Sequence, residues 1–372
     1  MTSRRTDLRV GMVGYAFMGA AHSQAWRTVN HFFDLPSRVR MTAICGRNAG
    51  AVEAAAAKLG WESATTDWRE LIARDDIDVI DICTPGDSHA EIAIAALRAG
   101  KHVLCEKPLA NTVEEAQAMV AVLEGSGATA MCGFNYRRVP AAALMRQMVA
   151  DGRVGTIRHV RATYLQDWIA DPQFPLVWRL QREKAGSGAL GDIGAHIIDL
   201  TQHVTGRLIE GVSAITETFV KQRPGGTVTV DDAALFVARL DGGALATYEA
   251  SRFATGRKNA LRIEINGSLG SLVFDLERLN ELQFYDASLP AAEQGFSRIL
   301  VTEPEHPYMS AWWPPGHTIG YEHSFTHQAR DFVRAIHDGT DPSPSFREAL
   351  GVQLVLDAVQ RSAESGTYVE VK

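Results

Sequence analysis

The strongest constraint on the fold is a regular alternation of short apolar runs and helix-forming runs that continues to about residue 133. Each apolar run is of strand length, and tight turns separate it from the helical runs. Parallel strands joined in this way form a sheet whose two faces are both covered by helices. We therefore predict a doubly wound parallel α/β domain. Its predicted main strands cover residues 8–13, 39–45, 78–83, 101–105 and 129–133.

The pattern changes after residue 134. Polar and apolar residues alternate over residues 157–165 and over several later segments, some of them joined by glycine turns such as Asp241-Gly242-Gly243. This alternation is typical of antiparallel strands that bury one face. We predict a Rossmann domain over residues 1–134 and, over residues 135–372, an α/β domain with a large open, mainly antiparallel sheet. Residues 286–320 are proline-containing and predicted to be irregular, with helices near 321–338 and 345–365.

Composition narrows the class of protein. A length of 372 residues favours two domains, and a hydrophobic content of 46% is enough for sizeable cores. The net charge of −7 argues against nucleic acid or an anionic membrane as the main partner. Because no stretch resembles a membrane span or an apolar signal core, we expect a cytoplasmic protein. The four cysteines form no C-x-x-C pair and are expected to be buried and reduced.

A glycine motif follows the first predicted strand. Gly14-x-Ala16-x-x-Gly19 lies between that strand and a helix, which is the context that a dinucleotide-binding fingerprint requires. Ala16 departs from the pattern, because a middle glycine normally lets the backbone approach the pyrophosphate. One methyl group is a small intrusion. We therefore predict a dinucleotide site here, and a tight turn without a ligand is the alternative.

The end of the second strand bears on the choice of cofactor. An acid at this place usually binds the adenosine ribose hydroxyls of NAD, but here the sequence reads Cys45-Gly46-Arg47-Asn48. Arg47 is able to pair with a 2′-phosphate or to stack on adenine. We therefore expect NAD or NADP, with NADP slightly favoured by Arg47 and by the absence of an acid at Gly46.

An acid, a base and a proline end the fourth main strand. The segment Val103–Leu109 runs from apolar residues directly into Glu106-Lys107-Pro108. Carboxyl ends of strands in a doubly wound sheet face the ligand crevice, so Lys107 is placed to meet a ligand. An ordinary polar strand end is the alternative.

A second polar group occurs in a glycine-rich helical segment at 186–204. Asp192 and His196 are four residues apart, hence on one face of a helix. Gly194 between them is costly in a helix interior and suits the close approach of a ligand. Taken singly, His196 is explained as a core histidine and Asp192 as a charge that favours a helix N-terminus.

Together, the glycine fingerprint, Cys83-Thr84-Pro85, Glu106-Lys107-Pro108 and Asp192-x-x-x-His196 resemble the Gfo/Idh/MocA oxidoreductases, the group of glucose–fructose oxidoreductase and inositol dehydrogenase. The similarity spans essentially the whole chain. It implies a nicotinamide cofactor over the Rossmann crevice and a substrate between the domains. It also implies an open sheet that often forms oligomer contacts, so a homodimer or homotetramer is expected. Ala16 and Gly46 depart from the family pattern.

The resemblance assigns Lys107 and His196 as the catalytic pair and Asp192 as a residue that positions the substrate or relays a proton. The chemistry agrees with this assignment. Histidine is a natural base for a hydroxyl proton near neutral pH, and a lysine ammonium stabilises developing alkoxide. The candidate cofactor-binding residues are Gly14, Ala16, Phe17, Met18, Gly46, Arg47, Thr84, Pro85, His89, Glu106 and Lys107.

Aromatic and hydrogen-bonding residues suggest the class of substrate. Mixed groups of this kind suit a sugar or cyclic polyol, although interface packing explains each residue separately. Within the family, the pattern is most similar to members that act on monosaccharides or anhydrosugars, the levoglucosan dehydrogenase-like branch. No metal site is predicted, because His323 and His327 lack further ligands. The candidate substrate-binding residues are Asn135, Tyr136, Arg137, Gln166, Trp168, Arg179, Asp192 and His196.

Three functions fit these features. The first is an NAD(P)-dependent dehydrogenase that oxidises a sugar, anhydrosugar or cyclic polyol hydroxyl. The second is a redox-neutral enzyme that keeps its cofactor bound and uses transient oxidation for elimination or glycoside cleavage. The third is a sugar- or dinucleotide-sensing regulator without turnover. The presence of Lys107, Asp192 and His196 argues against the regulator, because a sensor does not need all three.

Overall fold

The computed structural model describes residues 7–372. The chain divides into two compact units, one of Met1–Asn135 with Gly320–Leu350 and the other of Tyr136–Ile319 with Gly351–Lys372. Over the described range, every helix falls short of the length or the apolar character that membrane crossing demands. All four cysteines are free and buried, as predicted.

The first unit contains a parallel sheet of six strands in the order β3-β2-β1-β4-β5-β6. The strands up to β3 are added on one side of β1, and β4 and the later strands are added on its other side. Open α/β sheets bind ligands at such a switch point, here between β1 and β4. Its elements are β1 (Asp7–Val13), α1 (Phe17–Phe32), β2 (Arg38–Cys45), α2 (Ala49–Leu59), β3 (Ser63–Thr65), α3 (Trp68–Ala73), β4 (Val79–Ile82), α4 (His89–Arg98), β5 (His102–Cys105), α5 (Val113–Ser126) and β6 (Ala130–Cys132).

Local sequence signals account for the ends of several of these helices. The Asp67 carboxylate caps α3 by accepting a hydrogen bond from the backbone N–H of Arg69 at 2.8 Å. Thr112 and Glu115 form a capping box at the start of α5. Gly60 ends α2 in the left-handed conformation, with φ of 86°. Local sequence therefore explains where these helices begin or end.

The helix α9 (Tyr321–Asp338) also belongs to the first unit. Its residues Phe325 and Phe332 are buried in one core with Trp26 and Val29 of α1. The whole of residues 135–372 was predicted to belong to the second domain, and the structure differs from that assignment over Gly320–Leu350. An apolar helix face does not reveal which core it will join, so this return to the first unit was not predictable from local sequence.

The second unit is built on a sheet of nine strands in the order β16-β15-β14-β13-β7-β12-β11-β8-β17. Its pairs are antiparallel except for β7 and β12, which are parallel. Its elements are α6 (Pro140–Ala150), β7 (Ile157–Leu165), α7 (Arg182–Ala185), α8 (Ala195–Thr205), β8 (Ile209–Glu217), β9 (Gln222–Arg223), β10 (Gly226–Thr227), β11 (Ala233–Leu240), β12 (Leu245–Ser251), β13 (Ala260–Gly267), β14 (Gly270–Asp275), β15 (Glu281–Asp286), β16 (Phe296–Leu300) and β17 (Val369–Glu370).

Two features of this unit were not predicted. The strand β16 pairs with β15 inside the segment 286–320, which was expected to be irregular. Its side chains are largely exposed, so the alternation that marks a half-buried strand is missing. The helix α10 (Phe346–Ser365) begins in the first unit and continues in the second.

One face of the large sheet exposes apolar side chains on neighbouring strands. Leu235 of β11 is paired with Ile215 of β8, and Val237 lies two residues further along β11. Together with Leu245 of β12, they are between 41% and 68% exposed. We call Ile215, Leu235, Val237 and Leu245 the apolar sheet face.

Candidate active site

The turn after β1 has the backbone of a dinucleotide-binding loop. Gly14 has φ of 104°, and a Cβ there would lie 2.7 Å from the carbonyl oxygen of Cys83. A Cβ on Gly19 would lie 2.2 Å from the carbonyl oxygen of Gly14, so both glycines are required by close packing. Ala16 is the N-cap of α1 and is exposed, and its methyl group is accommodated. The cradle therefore fits a pyrophosphate at the N-terminus of α1, next to Phe17 and Met18.

The end of β2 is shaped by Tyr15. A Cβ on Gly46 would lie only 2.0 Å from the Tyr15 ring, so the ring occupies the space that a side chain at 46 would need. Arg47 is exposed, and Asn48 caps α2 by accepting a hydrogen bond from the N–H of Ala51. An acid at position 46 would therefore require the Tyr15 ring to move.

His89 joins two of the loops that follow the strands. Its ring nitrogens lie 2.9 Å from the carbonyl oxygen of Thr84 and 3.0 Å from that of Pro108. Because both nitrogens contact the protein backbone and the ring is buried, His89 fixes the loops after β4 and β5. Ser88 occupies the N-cap position of α4, but its side chain accepts no hydrogen bond from the helix and its hydroxyl donates to Thr84 and Pro85.

Glu106 and Lys107 follow β5, as predicted. Glu106 is buried, and Lys107 is half-buried. The Glu106 carboxylate lies 3.0 Å from Nε2 of His22 and accepts a hydrogen bond from the N–H of Lys107 at 3.2 Å. Nδ1 of His22 lies 3.0 Å from both oxygens of Asp81, which also accepts a hydrogen bond from Trp26 at 2.7 Å. The buried His22 therefore bridges the carboxylates of Asp81 and Glu106, and Glu106 directly precedes Lys107 in the chain.

The charges of this bridge support one another. Burial by itself lowers the pKa of the His22 imidazole, but Asp81 above all and then Cys83 raise it well above its usual value. Burial likewise disfavours the charged form of Glu106, yet the hydrogen bond from His22 and the charge of Lys107 lower its pKa. The bridge is thus an imidazolium between two carboxylates.

His22 and Asp81 were not identified from the sequence. A signal existed in Asp81, because it interrupts the apolar run of β4 and all four residues of that strand are buried. A buried carboxylate requires a partner. The partner itself is 59 residues away in the sequence, so only the fold identifies it.

The segment that carries Asp192 is fixed at its start by Asp231. One carboxylate oxygen accepts a hydrogen bond from the N–H of Gly188 at 2.7 Å and the other from the N–H of Leu190 at 2.8 Å. A Cβ on Gly188 would lie 1.7 Å from the Asp231 carbonyl oxygen, so glycine is required there. A single π-helical turn, Leu190–Gly194, then leads into α8. Such turns are frequent at functional sites.

Gly194 lies within the π turn, between Asp192 and α8. A Cβ there would lie 3.4 Å from Ala250 and from the Leu190 side chain, which is an ordinary contact distance. Packing within the protein therefore does not require glycine at this position, and the close approach of a ligand stays a prediction.

His196 packs against tyrosine rings. Its ring centre lies 4.5 Å from that of Tyr136 and 5.9 Å from that of Tyr164. The two tyrosine hydroxyls are 2.8 Å apart, and Tyr164 also donates to the side chain of Asn259 at 2.7 Å. These contacts fix the orientation of the imidazole. Tyr164 of β7 and Asn259, which directly precedes β13, were not identified from the sequence, because they lie 95 residues apart.

Two of the predicted substrate-binding residues have partners within the protein. Arg137 is buried and donates from Nε to the Asp199 carboxylate of α8 at 2.9 Å. Asn135 is buried and donates to the hydroxyl of Ser324 at 2.8 Å. The structure thus gives Arg137 an anchoring role for α8 that the sequence did not reveal.

Three of the predicted substrate-binding residues, Asp192, Trp168 and Arg179, lie around Arg252, which was not identified from the sequence. The guanidinium of Arg252 lies 3.6 Å from Asp192 and 5.5 Å from the centre of the Trp168 ring. It also contacts the backbone carbonyl of Arg179 at 3.4 Å, while the Arg179 side chain stacks on Trp178. Gln166 donates to Asn259 at 2.8 Å.

Comparison with protein families gives two matches. The family described as "Oxidoreductase family, NAD-binding Rossmann fold" matches residues 8–134. The family described as "GFO/IDH/MocA C-terminal domain" matches residues 142–273. Both units therefore carry the sequence pattern of the same family.

Individual relatives agree with this result. Levoglucosan dehydrogenase of Pseudarthrobacter phenanthrenivorans is 42% identical over 98% of each chain. The crystal structure of an oxidoreductase domain protein from Kribbella flavida is 63% identical, with a TM-score of 0.97 over 99% of this chain and 100% of the other. A levoglucosan dehydrogenase in complex with NADH and levoglucosan is 44% identical, with a TM-score of 0.96 over 98% of this chain and 100% of the other. With both units matched and relatives similar over the full length, this chain belongs to the Gfo/Idh/MocA family of NAD-binding oxidoreductases.

Proposed function

We propose that this protein is an NAD(P)-dependent dehydrogenase that oxidises a hydroxyl group of a sugar, anhydrosugar or cyclic polyol. The observation that carries the proposal is the 42% identity to a levoglucosan dehydrogenase over 98% of both chains. Levoglucosan is an anhydrosugar, and a structure of a 44% identical relative contains it together with NADH. An anhydrosugar is therefore the first substrate to test.

Lys107 and His196 are the proposed catalytic pair, with Asp192 as the residue that positions the substrate. His196, oriented by Tyr136, takes the proton of the reacting hydroxyl. Lys107, whose backbone N–H donates to the Glu106 carboxylate, stabilises with its ammonium the negative charge that develops on that oxygen. Asp192 accepts a hydrogen bond from a neighbouring hydroxyl of the substrate. The nicotinamide, when bound, accepts the hydride from the carbon atom.

Residues of the first unit hold the cofactor in this proposal. The backbone N–H groups at the start of α1, which follows Gly14, donate hydrogen bonds to the pyrophosphate. At the adenosine end, Gly46 offers no acid that would repel a 2′-phosphate, and Arg47 offers a positive charge. We therefore expect turnover with both NAD and NADP, the second favoured by Arg47.

The decisive experiment measures the absorbance of reduced nicotinamide. Purified protein is incubated with NAD or NADP and with levoglucosan, monosaccharides and inositols. We expect reduction by the wild type and a loss of roughly 10²–10⁴-fold in kcat in Lys107→Ala and His196→Ala, because each removes a proton-transfer or charge-stabilising group. Cofactor affinity is expected to change far less than kcat.

Lys101→Ala is the matched control. Lys101 lies at the other end of β5, where its ammonium donates to the carbonyls of Arg74 and Ile77 at 2.8 Å. The Lys101→Ala variant should retain turnover. Near-normal turnover in both Lys107→Ala and His196→Ala would contradict the assigned roles. Cofactor binding without reduction of any substrate would favour the redox-neutral enzyme or the sensor instead.

We also propose that the protein assembles into a homodimer or homotetramer through the apolar sheet face. Ile215, Leu235 and Val237 lie side by side on β8 and β11, and Val237 is 54% exposed. Contiguous exposed apolar patches are uncommon on monomers and often mark contact surfaces. A second copy of the chain would cover this face by a twofold contact.

A further inference from the structure

Arg252 is completely buried at the end of β12, at 0% exposure. Its guanidinium donates to the carbonyl of Asp231 at 3.2 Å and to that of Arg179 at 3.4 Å. Its buried Nε has no hydrogen-bond partner within residues 7–372. The two carbonyls therefore use only part of the hydrogen-bonding capacity of the guanidinium, whose charge also interacts with the buried Asp232 carboxylate.

The charge of Arg252 is directed at Asp192. Nη1 lies 3.6 Å from Oδ2 of Asp192, which is too long for a hydrogen bond but is an ion pair. The Asp192 side chain is 25% exposed, whereas Arg252 has no exposed surface. The pair thus joins a buried, immobile cation to a carboxylate that remains accessible. Screening by solvent is weak for a charge in such a position.

A second buried arginine of the same unit shows the contrast. Arg223 is 5% exposed, and its guanidinium donates to the carbonyls of Ile169 at 2.6 Å and Asp171 at 2.8 Å. These contacts are shorter than those of Arg252 and connect the loop after β7 with the β9–β10 hairpin. Within residues 7–372 the Nε of Arg223 also lacks a hydrogen-bond partner, so this feature does not distinguish the two arginines. Arg223 holds a loop together, whereas Arg252 has longer carbonyl contacts and faces a carboxylate of the candidate site.

We propose that Arg252 is a positioning residue, which holds the Asp192 carboxylate in the orientation that accepts a hydrogen bond from a substrate hydroxyl. This inference rests on the proposed function, in which Asp192 positions a neutral polyol. An ionised carboxylate forms stronger hydrogen bonds with a hydroxyl donor than a neutral group does. Arg252 also lies beside Trp168, so the same guanidinium links the carboxylate to an aromatic surface suited to the apolar face of a sugar.

A double-mutant cycle tests the inference. Arg252→Met is made in the wild-type background and in Asp192→Asn, and kcat, KM and cofactor affinity are measured with a sugar that the wild type oxidises. We expect Arg252→Met to lower kcat/KM for the sugar about 100-fold in the wild-type background, as misplacement of a positioning group does. In Asp192→Asn, where the carboxylate is absent, we expect the same change to cost less than about 3-fold. Cofactor affinity should stay unchanged.

Arg252→Lys and Arg223→Met separate this role from a structural one. Arg252→Lys keeps the charge, so it should recover about 10-fold of the lost kcat/KM in the wild-type background and none in Asp192→Asn. Because it fills most of the same volume, it also provides the cycle if Arg252→Met does not fold. Arg223→Met should lower the thermal midpoint, and its effect on kcat/KM should be the same in both Asp192 backgrounds.

Equal losses of kcat/KM on changing Arg252 in the two Asp192 backgrounds would overturn the inference and leave the proposed function intact. Absence of turnover by the wild type with every sugar and both cofactors would overturn the proposed function, and the role of Arg252 with it. Non-additive losses at Arg252 together with additive losses at Arg223 would support the inference.

Discussion

Single residues in this protein act through partners that are distant in sequence. The bridge of Asp81, His22 and Glu106 places a buried imidazolium behind Lys107. Two carboxylates share one positive charge there, so loss of His22 would leave both of them buried without their cation. The bridge therefore supports both the stability of the first unit and the geometry around Lys107.

The bridge predicts a specific dependence of stability on pH. The pKa of His22 is well above 6.5 in the folded protein and about 6.5 in the unfolded chain. Its stabilising contribution is therefore complete below about pH 6.5 and is lost as pH rises through the folded pKa. We expect the free energy of unfolding to fall above about pH 6.5 by up to ~1.4 kcal/mol per pH unit. His22→Gln should be less stable at pH 7 and should lack this slope.

Denaturant unfolding between pH 6 and pH 9 measures the slope. His31→Gln, a change of an exposed histidine in the same helix, serves as control and should keep the wild-type slope. An identical slope in His22→Gln would show that another group is responsible.

At the scale of the element, the start of α8 depends on a cap from a distant loop. Asp231 binds the N–H groups of Gly188 and Leu190 with its two oxygens, and the π turn that follows carries Asp192. Helix propensity would not predict this start, because no residue of the local sequence provides the cap. The position of Asp192 and His196 is thus set by residue 231.

Asp231→Asn tests this cap. An amide has only one accepting oxygen, so one of the two N–H groups loses its partner, and we expect a loss of about 1–2 kcal/mol in stability. Because Asp192 lies in the next turn, we also expect kcat/KM for the sugar to fall at least about tenfold. Thermal unfolding and steady-state kinetics measure the two effects.

Thr112→Ala is the matched cap variant in the other unit. It removes the capping box of α5 and should cost about 1 kcal/mol without a change in turnover. If Asp231→Asn lowered stability but left turnover at the level of Thr112→Ala, the link between cap and site would be refuted.

At the scale of the whole molecule, the large sheet buries one face against helices and leaves the apolar sheet face exposed. Parallel pairing of β7 with β12 places strands from separate parts of the chain side by side. With nine strands, the sheet is a broad platform, which suits a contact with a second copy.

Val237→Glu tests assembly through this platform. A glutamate buried in this contact would be a charge without a partner, so we expect the variant to have a lower oligomeric mass than the wild type at the same concentration. Sedimentation or light scattering provides the mass. Leu289→Glu, at a position 41% exposed in a loop, should assemble as the wild type does. An unchanged mass in Val237→Glu would place the contact elsewhere.

The sequence by itself determined the features that depend on neighbours in the chain. Strand and helix periodicity predicted the doubly wound sheet, and the fingerprint at Gly14 and Gly19 predicted the cradle, because the same local backbone geometry always requires these residues. The spacing of Asp192 and His196 predicted that one helical segment carries both. These signals are local, so one chain is enough to read them.

Only the tertiary structure decided the contacts between distant residues. Arg252 meets Asp192, Arg137 meets Asp199, and His22 meets Asp81 across separations of 59 to 62 residues in the last two pairs. Tertiary packing also decided the position of α9. Its apolar face suits either core, and in the structure it packs with α1. Periodicity specifies which side chains are buried but not which buried charge will meet which other. That choice depends on the packing of the whole unit, and in this protein it decided how Asp192 and Lys107 are held.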